Sequence, residues 1–536
     1  MQINLDDLVW PGRNQPILAG GGMVATSQPL ASGVGVEVLR AGGNAVDAAV
    51  AMAAALTVVE PATSSIGGDA FAIVWDGQNL HGLNGSGRAP ASLAPDRVRS
   101  HGHESVPDHG WLPVTVPGAP AAWRDLHDRF GTLSFSRLME PAVSYAERGH
   151  PVSPISQWHW AWQVDEVHPD LAGDEFGDFL KVFAPEGKSP GVGDIWRSSD
   201  MARTLGLIAE SQAETVYRGE IADRIVDFAR TTGGFLTAED LEGHTSTWVD
   251  PISTTYRGHE VWEIPPNGQG LAALIAVNIL EGFDFSPIAR NSTESFHLQI
   301  EAMKLAFADV HRFVADPERE PVPTEELLSK EYAEERRRLI GDRPILAEAG
   351  DPTRSDTVYL CTADANGMMV SYIQSTFDAF GSHVVVPETG IALQNRGSGF
   401  SMEPGHPNLL EPGKRPFHTI IPGFLTKGGK PIGPFGVMGG HMQPQGHVQM
   451  IVNTVDYGMD PQTALDQPRW FWWKGLDTRH EPASTEIVDG LRKRGHDARV
   501  WNELDAYGRG QIIWRLPSGV YIAGSDVRGD GQAAGY

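Results

Sequence analysis

The sequence predicts a mixed fold of helices and sheets packed in layers (α+β), built either as two ordinary domains or as one large unit. Three observations point there. At 536 residues the chain is too long to close around one small core. Strand-like alternation from Thr357 to Cys361, an Asn366-Gly367 turn signal and a return through Val370 to Phe377 read as a hairpin. Ser295 to Asp316 reads as a long amphipathic helix, with Leu298, Ala302, Leu305 and Ala306 on one face and a stop before Pro317.

In chain order, Gly20 to Gln28 reads as a strand entering a turn, and Ala31 to Ala41 as a helix stopped by Gly42-Gly43. Asn44 is a good N-cap for a second helix, Ala45 to Val58, whose small residues permit close packing. After the tight turn Ser64 to Asp69, the run Ala70 to Trp75 reads as a strand and Asp76-Gly77 as its turn. The returning strand leads to a glycine-rich loop that carries Arg88. Helices are expected up to Phe130 and from Phe135 to Arg148, and Thr237 to Asp240 has a capping-box pattern. Strands are expected at Ile252 to Tyr256 and His259 to Ile264, followed by a glycine turn, Pro265 to Gly270, that opens a helix. Arg336 to Pro352 reads as an exposed connector. Beyond the hairpin, His418-Thr419 opens a strand, and Gly439-Gly440 precedes a helix from Val448 to Val455.

Charge and composition exclude several classes. With 42 Lys and Arg against 68 Asp and Glu, the formal charge is −26. Such a surface repels nucleic acid and anionic membrane, so neither is an expected partner. Cys361 is the only cysteine, which rules out an intrachain disulfide and any site built from several thiolates. His101, His103 and His109 lie in a polar loop without a recognised ligand spacing, so no metal or other cofactor is expected. A metal-dependent hydrolase using His418, His441 and His447 is a distant third reading. The segment Met1 to Arg13 is acidic where a secretory signal would be basic, and the early apolar run Ala45 to Val59 is too short to span a bilayer. The expectation is a cytoplasmic protein.

The hairpin brings hydroxyls onto adjacent strands, a setting for a threonine nucleophile whose own freed backbone amine acts as its base. Paired glycines before a helix, as at Gly439-Gly440, can present N–H groups to a developing negative charge. Arg88, on its loop, reads as a solvated charge or a weak surface ion pair from position alone. The competing reading is a guanidinium that binds a carboxylate.

Taken together, these landmarks resemble the gamma-glutamyltranspeptidase family of N-terminal nucleophile hydrolases. The segments are Gly42 to Ala49, Ser64 to Gly68, Val116 to Gly118, Pro265 to Gly268, Glu301 to Asp309, Thr357 to Gly381, Gly439-Gly440 and Asp526 to Tyr536, in that order over nearly the whole chain. The resemblance implies a four-layer αββα sandwich. It also implies self-cleavage between Asp356 and Thr357, leaving a large subunit, 1–356, and a small one, 357–536, that stay associated as one αββα unit. Thr357 would be the nucleophile, Ser375 the second hydroxyl that supports it, and Gly439 and Gly440 the oxyanion-hole glycines.

Departures from the family pattern bear on the substrate. Where relatives that hold a gamma-glutamyl group carry an Asn, a Gln or Glu, an Asp and a Ser-Ser pair, this chain has Phe377, Arg396, Gly399 and His418-Thr419. The substrate-carboxylate arginine of the family aligns near Ser86, with Arg88 two residues on. The expected substrate-binding set is therefore Arg88, Arg396, His418 and Thr419. A pocket with Arg396 and without that Asp should prefer an anionic acyl group over a zwitterionic one. The pattern is similar to the glutathione-hydrolase-like or cephalosporin-acylase-like branch. The expected activity is hydrolysis of gamma-glutamyl or glutaryl amides through an acyl-threonine, more hydrolase than transpeptidase, by a protein compatible with homo-oligomerisation. The alternative is a catalytically silent relative that binds small molecules.

Overall fold

The computed structural model describes residues 15–346 and 356–536. The expectations placed on Met1 to Arg13, on the end of the charged connector (347–352) and on Arg354 and Ser355 lie outside the described residues.

Two seven-stranded antiparallel sheets lie face to face. One runs Ile17–Ala19, Tyr521–Ser525, Arg509–Arg515, Lys430–Met438, Gly423–Lys427, His259–Glu263, Ile252–Tyr256. The other runs Gln532–Gly535, Gly22–Thr26, Asp356–Asp364, Met369–Phe377, Asp69–Trp75, Leu80–Asn84, Thr247–Val249. Phe71, Ile73, Tyr359 and Ile373 from the second sheet meet Phe424, Ile513 and Tyr521 from the first in a fully apolar seam. The strands between these layers are buried on both faces, which explains why Met369–Phe377 is buried at all nine positions.

Helices cover both outer faces. Pro29–Arg40, Ala45–Val59, Ala119–Phe130 and Phe135–Arg148 pack with the second sheet in one core. Gly270–Leu280, Thr293–Phe313 and Met442–Ile451 pack with the first in another. The result is an αββα sandwich.

Local signals place many of these elements. The Asn44 side chain accepts from the Asp47 N–H while Asp47 accepts from the Asn44 N–H, closing the expected cap. Thr237 and Asp240 form the second capping box. Two expectations need correction. The helix after Gly439-Gly440 starts earlier than expected, at Met442, because Pro444 stands in its first turn, where no N–H donor is required; it runs to Ile451 and continues as a π-helical turn, Val452–Asp456. His418-Thr419 does not open a strand: the next strand is Gly423–Lys427, and residues 418–422 form the segment leading into it.

Candidate active site

The hairpin strands pair with a register break at Thr357. Asp356 pairs with Phe377 and Val358 with Gln374, so Thr357 alone opposes both Ser375 and Thr376. Such a bulge re-aims side chains, and here it sets the Thr357 Oγ1 3.3 Å from Ser375 Oγ, with both residues wholly buried. Gln443 Nε2 donates to the same Thr357 oxygen over 3.4 Å. Gln443 belongs to the first turn of the helix that follows the glycine pair, and its own N–H donates to the Gly440 carbonyl. The two glycines adopt φ of +117° and +55°. The strand Lys430–Met438 thus leads through Gly439 and Gly440, in a turn that suits residues without a Cβ, to the helix turn whose Gln443 bonds Thr357.

Ser375 Oγ also accepts from the Phe377 N–H at 2.8 Å and from Arg396 Nη2 at 3.2 Å. The other arm of the guanidinium, Nη1, donates to Thr419 Oγ1 at 2.7 Å. Asn395 holds this arginine in place: its N–H donates to Thr376 O, its Oδ1 accepts from the Asp378 N–H, and its Nδ2 donates to Asp378 Oδ2. The Phe377 ring centroid lies 4.3 Å from the Arg396 guanidinium carbon. Burial brings the Arg396 pKa down to about 9, with Asp69 and Asp378 acting the other way.

A cavity of about 320 Å³ opens beside this cluster, with Phe377, Gly399, Phe400, Phe417, Thr419 and His441 in its wall. Three positions of the expected departures, Phe377, Gly399 and Thr419, therefore face one space. Arg396 stands behind that wall and is not part of it. Arg88 is held elsewhere: Nη2 lies 2.9 Å from both carboxylate oxygens of Glu318, and Nη1 lies 3.2 Å from Asp316. His418 is fully buried behind the site, with Nε2 3.1 Å from Asp69 Oδ2.

Sequence reasoning missed a polar frame around these groups. Gln269 Nε2 donates to the carbonyls of Thr419 (2.5 Å) and Gly440 (2.9 Å), joining the cavity wall to the glycine turn. Gln443 Oε1 accepts from the Ile421 N–H. Asp69, the cross-strand neighbour of Ser375, accepts from the N–H groups of Gly87 and Gly118 and from Gln394. Glutamines give no periodic signal. Asp69 did have one: it directly follows the Gly67-Gly68 turn, whose tight approach to the Ser375 carbonyl leaves no room for a Cβ at Gly68.

Among the described residues one trio has metal-ligand spacing, His297, Glu301 and His496. The Lys304 ammonium already sits 2.7 Å from Glu301, and His297 Nδ1 and His496 Nε2 bond each other at 2.8 Å, so the atoms that face one another there already have protein partners. His418, His441 and His447 form no common site: His418 bonds Asp69, His447 bonds Glu263, and His441 stacks on Phe417. Among the described residues no helix is long and apolar enough to cross a membrane.

Comparison with known proteins agrees with this geometry. The gamma-glutamyltranspeptidase family model matches residues 31–536. The chain is 37% identical over 532 residues to a glutathione hydrolase-like YwrD proenzyme of Bacillus subtilis, covering 97% of this chain and 100% of that one. It is 33% identical to an acylase ACY 1 proenzyme of a Pseudomonas species, covering 96% and 94%. Among solved structures, a cephalosporin acylase from Bacillus halodurans is 51% identical, covers 100% of this chain and 99% of that one, and superposes with a TM-score of 0.95. With Thr357, Ser375 and the glycine pair assembled in one αββα sandwich and matched over 31–536, the chain belongs to the gamma-glutamyltranspeptidase family.

Proposed function

We propose that the protein is a self-cleaving amide hydrolase that works through an acyl-threonine at Thr357 and prefers amides of anionic acyl groups, glutaryl above gamma-glutamyl. The observation that carries the chemistry is the Thr357 hydroxyl held between Ser375 Oγ and Gln443 Nε2, beside the Gly439-Gly440 turn. Relatives named as proenzymes, glutathione hydrolase-like and acylase alike, support the same class.

In maturation the Thr357 oxygen attacks the Asp356 carbonyl carbon, and the peptide C–N bond breaks as the acyl group moves to oxygen. Water then hydrolyses the ester, leaving the Asp356 carboxylate and a free Thr357 amine. Such an amine has a pKa near 8, so an appreciable neutral fraction is available close to neutrality. In turnover that amine takes the hydroxyl proton as Oγ1 attacks the substrate amide, and returns it to the departing amine. The N–H groups of Gly439 and Gly440 are suited to the oxyanion, a contribution of roughly 3–4 kcal/mol per donor in other hydrolases. Water releases the acid in the second half.

Acyl preference rests on charge. Arg396 is wholly buried, its Nε has no hydrogen-bond partner, and the carboxylates of Asp69 and Asp378 act on its charge. A cavity walled by Phe377 and Thr419 in front of that guanidinium favours a negative acyl end; Asp108 also stands in its wall, but no acidic group stands at Gly399, where the family's ammonium-binding Asp is expected. With Arg88 committed to Asp316 and Glu318, the substrate carboxylate is left to the Thr419 hydroxyl in the wall and to the charge of Arg396 behind it rather than to Arg88.

The test is intact mass spectrometry of the purified protein before and after incubation with glutaryl and gamma-glutamyl anilides. The expected result is two fragments divided at Asp356-Thr357, a transient acyl adduct on the fragment that begins with Thr357, and faster release from the glutaryl compound. Clear preference for the gamma-glutamyl anilide would defeat the pocket argument, and an uncut chain without turnover would defeat the whole reading.

A further inference from the structure

Arg396 is a buried cation that bridges the nucleophile's serine and the acyl cavity, and a cation so placed requires a counter-charge. Asp69 is fully buried and, by strand register, directly across from Ser375. Each hydrogen bond to its carboxylate comes from a donor. Oδ1 accepts from the Gly87 N–H at 2.9 Å, the Gly118 N–H at 3.1 Å and Gln394 Nε2 at 2.8 Å. Oδ2 faces His418 Nε2 at 3.1 Å. The Ile420 N–H donates to His418 Nδ1, which puts the ring proton on Nε2. A protonated acid would need an acceptor in this shell, and the shell is made of donors. The arrangement is built for a carboxylate, and no bond in it goes to Arg396 directly.

We propose that Asp69 is a positioning residue of the acyl-transfer site, its buried negative charge holding the Arg396 guanidinium between Ser375 and Thr419; this rests on Thr357 and its neighbours being that site. Three of the chain's distant segments meet at Asp69 through Gly87, Gly118 and Gln394, and Gln394 lies two residues before Arg396, so the carboxylate fixes both the field and the loop that carries the arginine. Burial pushes the Asp69 pKa up to about 6, against the pull of Gln394, Arg396 and the two backbone N–H groups. The titratable or charged groups that act on it are Arg396, Arg415, Tyr217 and His418. His418 is kept neutral by burial and by the two arginines, and the Tyr217 phenol is pushed far up by burial. Between pH 5 and 8, Asp69 is thus the member of this group that changes charge.

The experiment compares wild type, Asp69→Asn, Arg396→Met and the double variant by kcat/KM for glutaryl anilide from pH 5 to 9, with crystal structures of wild type and Asp69→Asn. Expected are a loss of roughly a hundredfold in Asp69→Asn at pH 8 and a shallower acid limb, since only the Thr357 amine then still titrates there. The double variant should lie within about threefold of Arg396→Met, since Asp69 acts through the arginine, and Arg396 should leave Ser375 and Thr419 in the Asp69→Asn crystal. Losses that multiply, activity retained in Asp69→Asn, or an unmoved Arg396 would overturn the proposal. Should Asp69→Asn not fold, Gln394→Leu removes one donor from the carboxylate and should move the acid limb upward; an unmoved limb overturns the proposal equally. If the wild type turns over neither anilide, the proposed function fails while the position of Arg396 in the crystals still decides the role of Asp69.

Discussion

Phe377 lies against Arg396, its ring centroid 4.3 Å from the guanidinium carbon, while its own N–H and that guanidinium donate to the same Ser375 oxygen. Phe377, in the wall of the cavity, is therefore bonded to Ser375, whose hydroxyl meets that of Thr357. Its φ of +80° is unusual for a bulky side chain and is held by that bond and by the strand pairing that ends at Phe377.

Phe377→Asn should shift specificity without unfolding the protein. Asparagine accepts positive φ more readily than phenylalanine, and it offers an amide to a zwitterionic acyl head. The ratio of gamma-glutamyl to glutaryl turnover should rise by roughly tenfold, read from paired kcat/KM values. An unchanged ratio would detach Phe377 from acyl selection.

Thr357→Ala should give a chain that stays whole at 58.0 kDa on a denaturing gel and turns over no amide. Thr357→Ser keeps the oxygen and should still cut. Thermal melting of the alanine variant should stay close to that of the uncut precursor, because the change removes one methyl and one hydroxyl from a packed strand rather than a large side chain.

Ser375→Ala leaves the Phe377 N–H and Arg396 Nη2 without their shared acceptor in a fully buried place. The cost of such orphaned donors is about 1–3 kcal/mol, so kcat/KM should fall by roughly tenfold to a hundredfold and the melting temperature should drop as well. Ser375→Thr restores the oxygen and should recover most of both.

Acid stability should follow the buried histidines. Burial, with help from Arg492, takes the His480 pKa down to about 3. The unfolded chain takes up a proton there below about pH 6.5, while the folded chain does not. The contribution is fully present above pH 6.5 and declines by about 1.4 kcal/mol per pH unit as pH falls toward 3. His480→Gln should flatten the slope of melting temperature between pH 6.5 and 5; an unchanged slope would mean the ring is solvated when folded.

What could be read from residue order was what depends on near neighbours. Alternation and an Asn-Gly turn marked the hairpin, and Asn44 with Asp47 marked a helix start, since these signals lie within a few residues of their consequences. The αββα order needed the family resemblance, because nothing local says that Asp356–Asp364 pairs with Gly22–Thr26 on one side and Met369–Phe377 on the other. Arg88 illustrates the limit: its loop is glycine-rich as expected, yet its partners, Asp316 and Glu318, lie more than two hundred residues away. Asp69 reaches Ser375 through sheet register and Gln443 reaches Thr357 through helix phase, which single-residue reasoning does not carry.

The two central strands of the second sheet, Asp356–Asp364 and Met369–Phe377, are flanked by Gly22–Thr26 and Asp69–Trp75. The proposed self-cleavage at Thr357 would make the mature protein a record of its history: two polypeptides woven through a sheet that formed while they were one. Once denatured, the pieces would face a bimolecular search and two unpaired strand edges prone to mispairing. Such a cut would act as a ratchet, trading the precursor's reversible folding for a persistence governed by the rate of unfolding.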